Sequence, residues 1–266
     1  MELIDIGINL QHRHFSADRD EVIRRAVQAG VSTMIVTGTS VKESHAASLL
    51  CRQHWETLRS TAGVHPHNAR QCDATTIAAL RELTSADQVV AIGECGLDFN
   101  RDFSPRPQQE QWFEAQVELA IELGLPLFLH ERDAHERFVS ILKRHRNNIS
   151  RAVVHCFTGS DRELKSYLDL DLHIGITGWI CDERRGEHLR KTVRQIPLER
   201  LMLETDAPFL TPRNMAVKPR GGRNEPAFLR YVLSSVSSSI GRAEEEVAAA
   251  TTRTAKAFFG LDAGRE

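Results

Sequence analysis

Gln116-Val117-Glu118-Leu119-Ala120-Ile121-Glu122-Leu123 leads through Gly124-Leu125-Pro126 into Leu127-Phe128-Leu129-His130, and this stretch decides the fold. Its first part carries apolar side chains at helical spacing. Gly124 stands where a helix takes a left-handed residue after its last turn. A short apolar run follows, bounded by Pro126, which reads as a buried strand with a histidine at its end. The same order of helix, stop, strand and terminal polar residue recurs outward in both directions.

Strands are expected at Leu3–Ile8, Thr33–Thr37, Leu58–Val64, Val89–Gly93, Pro126–Leu129, Ala152–Val154, Leu172–Thr177 and Arg200–Glu204. Helices are expected between them near Asp18–Ala29, Val41–His54, Thr75–Ser85, Pro107–Leu123, Asp133–His145, Asp161–Leu168 and Glu183–Gln195, and after the last strand at Glu225–Ile240 and Ala243–Phe259. Ser40 and Asp161 are placed to cap helices, and Pro107 suits a first helical turn. Strict alternation of strand and helix argues for a parallel sheet with helical crossovers. Eight such units favour a closed α/β barrel, the (β/α)8 TIM barrel, as a single domain spanning residues 1–266.

Composition narrows the function classes. The 266 residues are 41% hydrophobic and 26% charged, ordinary values for a globular protein. A net charge of -2 gives no global attraction to polyanions, so any nucleic-acid contact must be local or metal-assisted. No apolar run is long enough to span a bilayer, and the start Met-Glu-Leu-Ile-Asp-Ile lacks a secretory pattern. Cys51, Cys72, Cys95, Cys156 and Cys181 are odd in number and scattered, which fits reduced thiols in the cytoplasm.

In such a barrel the chemistry sits at the C-terminal ends of the strands. There the sequence places Gly63-Val64-His65-Pro66-His67, Gly93-Glu94-Cys95-Gly96, Leu129-His130, Val154-His155-Cys156 and Glu204-Thr205-Asp206. Clustered imidazoles and carboxylates are costly unless a cation is shared among them. Glu94, His130, His155 and Asp206 are therefore the expected metal ligands. Glu94 is placed to bridge two ions, and Asp206 to ligate metal or take a proton from the attacking water. The metal would lower the pKa of bound water and polarise the scissile group. The histidines in loops and on helices, His135 and His145 among them, read as surface residues.

These segments resemble the TatD family of metal-dependent deoxyribonucleases, relatives of the amidohydrolase barrels. Gly63–His67, Gly93-Glu94-Cys95-Gly96-Leu97-Asp98, Leu129-His130, His155-Cys156-Phe157-Thr158-Gly159, Glu204-Thr205-Asp206-Ala207-Pro208 and Arg223-Asn224-Glu225-Pro226 carry the likeness, in order, over nearly the whole chain. The resemblance implies an amidohydrolase-like barrel and a magnesium-dependent 3′→5′ exonuclease on single-stranded DNA, and on RNA, in DNA repair or turnover. It also implies His65 near the scissile phosphate and Glu94, Asp206 and His65 as the catalytic set. One departure matters. Where the family commonly begins Asp-x-His-x-His, this chain has Asp5-Ile6-Gly7-Ile8-Asn9. Gly7 offers no ligand, leaving Asn9 and Asp5 as a weak second-metal or phosphate contact.

By ligand type two imidazoles with two carboxylates suit zinc, manganese or iron. The resemblance and an oxygen-leaning position at Asn9 point instead to Mg2+, with Mn2+ the alternative and Zn2+ adventitious, as one or two ions. Nucleic-acid contacts are expected from Phe99, Arg101 and Phe103 after strand four, and from Arg213, Lys218, Arg220 and Arg223 after strand eight. The expected partner is then single-stranded DNA, and RNA as well, with no membrane, and the protein is expected to be a monomer. Two other classes stay open: a small-molecule or acyl hydrolase of the same barrel type, and a non-catalytic binding scaffold.

Overall fold

A computed structural model describes residues 1–261, apart from the side chain of Arg220. One sheet holds β1 (Leu3–Ile8), β2 (Val31–Val36), β3 (Leu58–Ala62), β4 (Val89–Asp98), β5 (Leu127–Arg132), β6 (Ala152–Val154), β7 (His173–Ile176) and β8 (Leu201–Leu203), in sequence order. The pairing is parallel. A further bridge, Ile8 to Ala207, joins β1 to the segment just after β8. The fold class is the (β/α)8 barrel that the alternation predicts.

The helices are α1 (Arg19–Gln28), α2 (Val41–Gln53), α3 (Thr76–Leu83), α4 (Arg106–Leu123), α5 (His135–His145), α6 (Asp161–Asp169), α7 (Glu187–Thr192), α8 (Leu229–Ile240) and α9 (Glu244–Phe259). Two compact units alternate along the chain. One comprises Met1–Val36, Cys156–Leu164 and Ile174–Glu266, the other Thr37–His155 and Lys165–His173. In the first, every residue of β1 is buried, as fits a mainly apolar strand covered on both faces, Asp5 being its one charged residue. In the second, α4 packs Phe113, Val117 and Ala120 inward, with Phe113 stacked on Phe138 of α5 at 5.3 Å.

Local chemistry accounts for most element boundaries. Ser40 caps α2 by accepting from the Glu43 N–H at 3.1 Å, and Gly124 ends α4 with φ 65°. The expected cap at Asp161 is corrected by one residue. Ser160 accepts from the Glu163 N–H at 3.3 Å while Glu163 accepts from the Ser160 N–H at 2.6 Å, a reciprocal capping box. The helix expected at Glu183–Gln195 is shorter, because residues up to Gly186 form a tight turn. A Cβ on Gly186 would lie 2.4 Å from the Trp179 carbonyl oxygen. Among the described residues all five cysteines are free thiols.

Candidate metal centre

β4 runs well past the strand expected at Val89–Gly93, and the extension creates the centre. Gly93 pairs with Phe128 and Cys95 with Leu129, so Glu94 is an extra residue, a bulge that re-aims its side chain. Its N–H donates to the Gly38 carbonyl at 2.7 Å. The neighbouring glycines are obligatory. A Cβ on Gly93 (φ 142°) would lie 2.1 Å from the Phe128 carbonyl oxygen, and one on Gly96 (φ 145°) 1.9 Å from that of His130.

Three imidazoles meet the buried Glu94 carboxylate at one oxygen. His155 Nε2 lies 2.8 Å from Oε1, His130 Nδ1 2.9 Å and His65 Nε2 3.3 Å. His130 closes the inner part of β5 beside Gly96. The residue after β6, His155, keeps the ladder by donating its N–H to the Leu129 carbonyl at 2.9 Å. His65 caps the 3-10 turn Pro66–Gln71, its Nδ1 accepting from the His67 N–H at 3.1 Å.

That cap assigns the His65 tautomer. With Nδ1 an acceptor, the ring proton sits on Nε2, so His65 presents an N–H donor rather than a metal-binding lone pair. Burial pushes its pKa down to about 4, more than the adjacent Glu94 raises it, so the ring is neutral at neutral pH. Burial raises the Glu94 carboxyl, but His155, His65 and His130 together hold it well below the usual carboxylate range. Burial also opposes charge on His130, yet Asp98 and Glu94 raise its pKa overall.

The donor set fits a divalent cation. One carboxylate oxygen has two lone pairs, too few to accept from three imidazole N–H groups at once. In addition, His130 Nε2 is buried without a hydrogen bond, its nearest acceptor being Asp98 Oδ2 at 3.5 Å. His65, Glu94 and His130 offer ligand atoms within 4.8 Å of one another. With the His65 Nε2 protonated, the atoms here that could hold a cation are those of Glu94, His130 and His155.

Three further residues support the centre: Asp98, which stands in the Gly93–Asp98 segment without an expected role, and Gln109 and Gln116, which the sequence did not single out. Asp98 Oδ1 accepts from the N–H groups of Asn100 at 3.1 Å and Arg101 at 2.8 Å, while Oδ2 lies 2.7 Å from His67 Nε2. Gln109 on α4 accepts from the Asp98 N–H at 2.9 Å and donates to its carbonyl at 3.2 Å. One heptad on, Gln116 accepts from the Val64 N–H at 2.7 Å and donates to the Val64 carbonyl at 3.1 Å, just before His65. Two amides seven residues apart on the otherwise apolar buried face of α4 were the available signal.

Asp206, Asn9 and Asp5 belong to the other compact unit. Asp206 follows β8 with φ 54°, and its N–H donates to the Gly7 carbonyl at 2.9 Å. Its Oδ1 accepts from Asn9 Nδ2 at 3.1 Å. Asn9 thus directs its amide N–H, not its oxygen, at the carboxylate. Asp5, expected as a weak metal or phosphate contact, is fully buried and accepts from Thr205 N, Thr205 Oγ1 and Gly7 N. It serves to tie β1 to the residues after β8.

The expected nucleic-acid contacts divide. Arg101, Lys218 and Phe103 are exposed, and Phe103 packs edge-on against His67 at 4.7 Å. Phe99 is covered by the Arg106 guanidinium at 4.4 Å. Arg223 is not free for phosphate. Both its terminal nitrogens bind Asp18 at 2.7 Å, one also reaches Glu225 at 2.7 Å, and the group lies over Phe15. Arg213 is exposed and held by Asp182 at 3.2 Å, and the Arg220 side chain lies outside the described residues. His135 and His145, expected at the surface, are half-buried against Tyr167 and Glu114.

With this geometry in place, comparison with known proteins is specific. A family model described as TatD related DNase matches residues 4–260. A protein of Erwinia amylovora named 3′-5′ ssDNA/RNA exonuclease TatD is 54% identical, the match covering 97% of this chain and 100% of that protein. Among solved structures, a TatD homologue from Escherichia coli K12 aligns with TM-score 0.88 and 29% identity, covering 97% of this chain and 98% of that one. A TatD family hydrolase from Entamoeba histolytica aligns with TM-score 0.89 and 26% identity, covering 97% and 98%.

Proposed function

The chain belongs to the TatD-related DNase family, and from that premise we propose a 3′→5′ exonuclease of single-stranded DNA and RNA supported by Mg2+ or Mn2+. Membership makes it a metal-dependent nuclease. The observation that carries the site is the meeting of three imidazoles on one oxygen of Glu94.

Glu94, His130 and His155 would hold the ion. A divalent ion there supplies a water of lowered pKa and polarises a phosphodiester oxygen. His65 keeps its Nε2 proton and donates a hydrogen bond to a phosphate oxygen, a role its neutral tautomer fits. The 2.7 Å contact of Asp98 with His67 ties the end of β4 to the 3-10 turn Pro66–Gln71. Asp206, kept in place by Asn9, is the proposed further ligand or acceptor of the water's proton, on the strength of the Glu204–Pro208 motif. The imidazoles by themselves favour Zn2+, whereas the carboxylates suit Mg2+ and Mn2+. The reading assigns Mg2+ or Mn2+ to turnover because phosphodiester hydrolysis recruits substrate and water oxygens, which those ions prefer.

The test incubates protein with 5′-labelled single-stranded DNA and RNA in Mg2+, in Mn2+ and in chelator. The expected result is a ladder shortening from the 3′ end with either metal and intact strands in chelator. Intact strands under every condition would overturn the nuclease. Immediate release of the labelled 5′ nucleotide would overturn the polarity.

A further inference from the structure

The turn after β7 holds a device that the nuclease reading does not use. Asp182 is buried, its side chain 5% exposed, and a buried carboxylate needs partners. Its Oδ1 accepts from the N–H groups of Arg184 and Arg185, both at 3.0 Å. Its Oδ2 lies 3.1 Å from Arg185 Nε and 3.2 Å from Arg213 Nε. Arg213 comes from the segment after β8, so one carboxylate oxygen gathers guanidinium groups from two successive strand-to-helix connections.

Arg185 donates to Asp182 through Nε and Arg213 approaches it nearest through Nε, and among the described residues no hydrogen bond engages the terminal nitrogens of either. Their side chains are 58% and 48% exposed. A guanidinium has five N–H donors in a planar fork, so each keeps the donors that match phosphate. Two cations on one anion leave a net positive charge, and their mutual repulsion is relieved by a second anion. The turn is also rigid. Arg190 donates to the Ile180 and Asp182 carbonyls at 2.9 Å, and Gly186 has no room for a Cβ. Arg185 lies over the half-buried Trp179 ring at 4.7 Å, which fixes its plane.

We propose that Arg185 and Arg213, oriented by Asp182, form a phosphodiester-binding clamp for the backbone of a single-stranded nucleic acid. Trp179 serves as the platform under the clamp. Connections after strands seven and eight are a frequent place for phosphate sites in this barrel class, and arginine forks are suited to that anion. The proposal rests on the nuclease reading for the identity of the ligand, and on the Asp182 geometry for its place.

The test measures binding of a fluorescent oligothymidylate by anisotropy in chelator, across a salt series, for wild type, Arg185→Gln/Arg213→Gln and Arg253→Gln. Arg253 is an exposed arginine on α9 and serves as a charge control. The double variant should weaken Kd by about 5- to 30-fold. Its slope of log K against log salt should become shallower by about 1.4, roughly 0.7 for each lost phosphate contact. With Mg2+ present, KM for oligonucleotide hydrolysis should rise in the double variant and stay within about twofold of wild type in Arg253→Gln. An unchanged affinity and slope in the double variant would overturn the clamp, as would an equal loss in Arg253→Gln. Wild-type protein that neither binds the oligonucleotide in chelator nor shortens it with Mg2+ would instead overturn the nuclease reading.

Discussion

Replacing Asp98 by Asn separates the two tasks its carboxylate performs. Asn keeps a carbonyl oxygen where Oδ1 accepts from the N–H groups of Asn100 and Arg101, so the turn after β4 survives. What is lost is the anionic oxygen 2.7 Å from His67 Nε2 and 3.5 Å from His130 Nε2. Loss of an anionic partner behind a ligating histidine costs about 10- to 100-fold in metal affinity, or roughly 1.4–2.8 kcal/mol. At 3.5 Å the contact to His130 is longer than a hydrogen bond, which puts the expectation at the lower end, about tenfold. The His67 contact involves a ring 30% exposed and should cost about 1 kcal/mol of stability. Calorimetric titration with Mn2+ in the absence of DNA reads the affinity, and a urea melt reads the fold. Mn2+ affinity within twofold of wild type in a folded Asp98→Asn protein would refute the role given to Asp98.

Gln116→Leu fills a similar volume but leaves the buried Val64 N–H and C=O without partners; urea melts should show a loss of about 2–5 kcal/mol, and a loss below ~0.5 kcal/mol would mean that Gln116 does not clamp the β3 end. The Asp18 carboxyl is held down at about 2, against an ordinary 3.8, chiefly by Arg223. A depressed carboxyl stabilises the fold above its unfolded value. That contribution is therefore complete above pH 3.8 and lost as pH falls through about 2. Thermal melts across that interval should show a shallower acid slope in Asp18→Asn, and an identical slope would remove the ion pair from the acid response. Asp206→Asn should abolish hydrolysis while retaining the Asn9 contact geometry in its amide oxygen; a variant with wild-type rates would exclude Asp206 from the chemistry.

Much of this was legible because the strands are apolar on both faces. β1 and β6 begin and end where the expected runs do, and His155, which breaks the β6 run, meets Glu94. β4 was the exception. Gly93 and Gly96 read as a strand end, since glycine weakens a strand interior. In the structure the same glycines let the backbone pass close to β5, carry the strand on to Asp98 and bulge it at Glu94. Arg223 looked free because ion pairs between residues far apart, here with Asp18, leave no local pattern. Asp182 and Gln116 escaped for the same reason. Their partners are set by how connections pack, and no periodicity marks a buried amide or carboxylate as a clamp.

The most direct measurement compares wild type with Glu94→Gln on 5′-labelled single-stranded DNA under single-turnover conditions with Mg2+, beside a melt of each protein. Gln keeps the shape but gives up the charge on which three imidazoles converge. Altering the residue behind a ligand already costs 10- to 100-fold, so the account predicts a rate lower by at least about 100-fold with the melt nearly unchanged. Degradation by Glu94→Gln at the wild-type rate would contradict it.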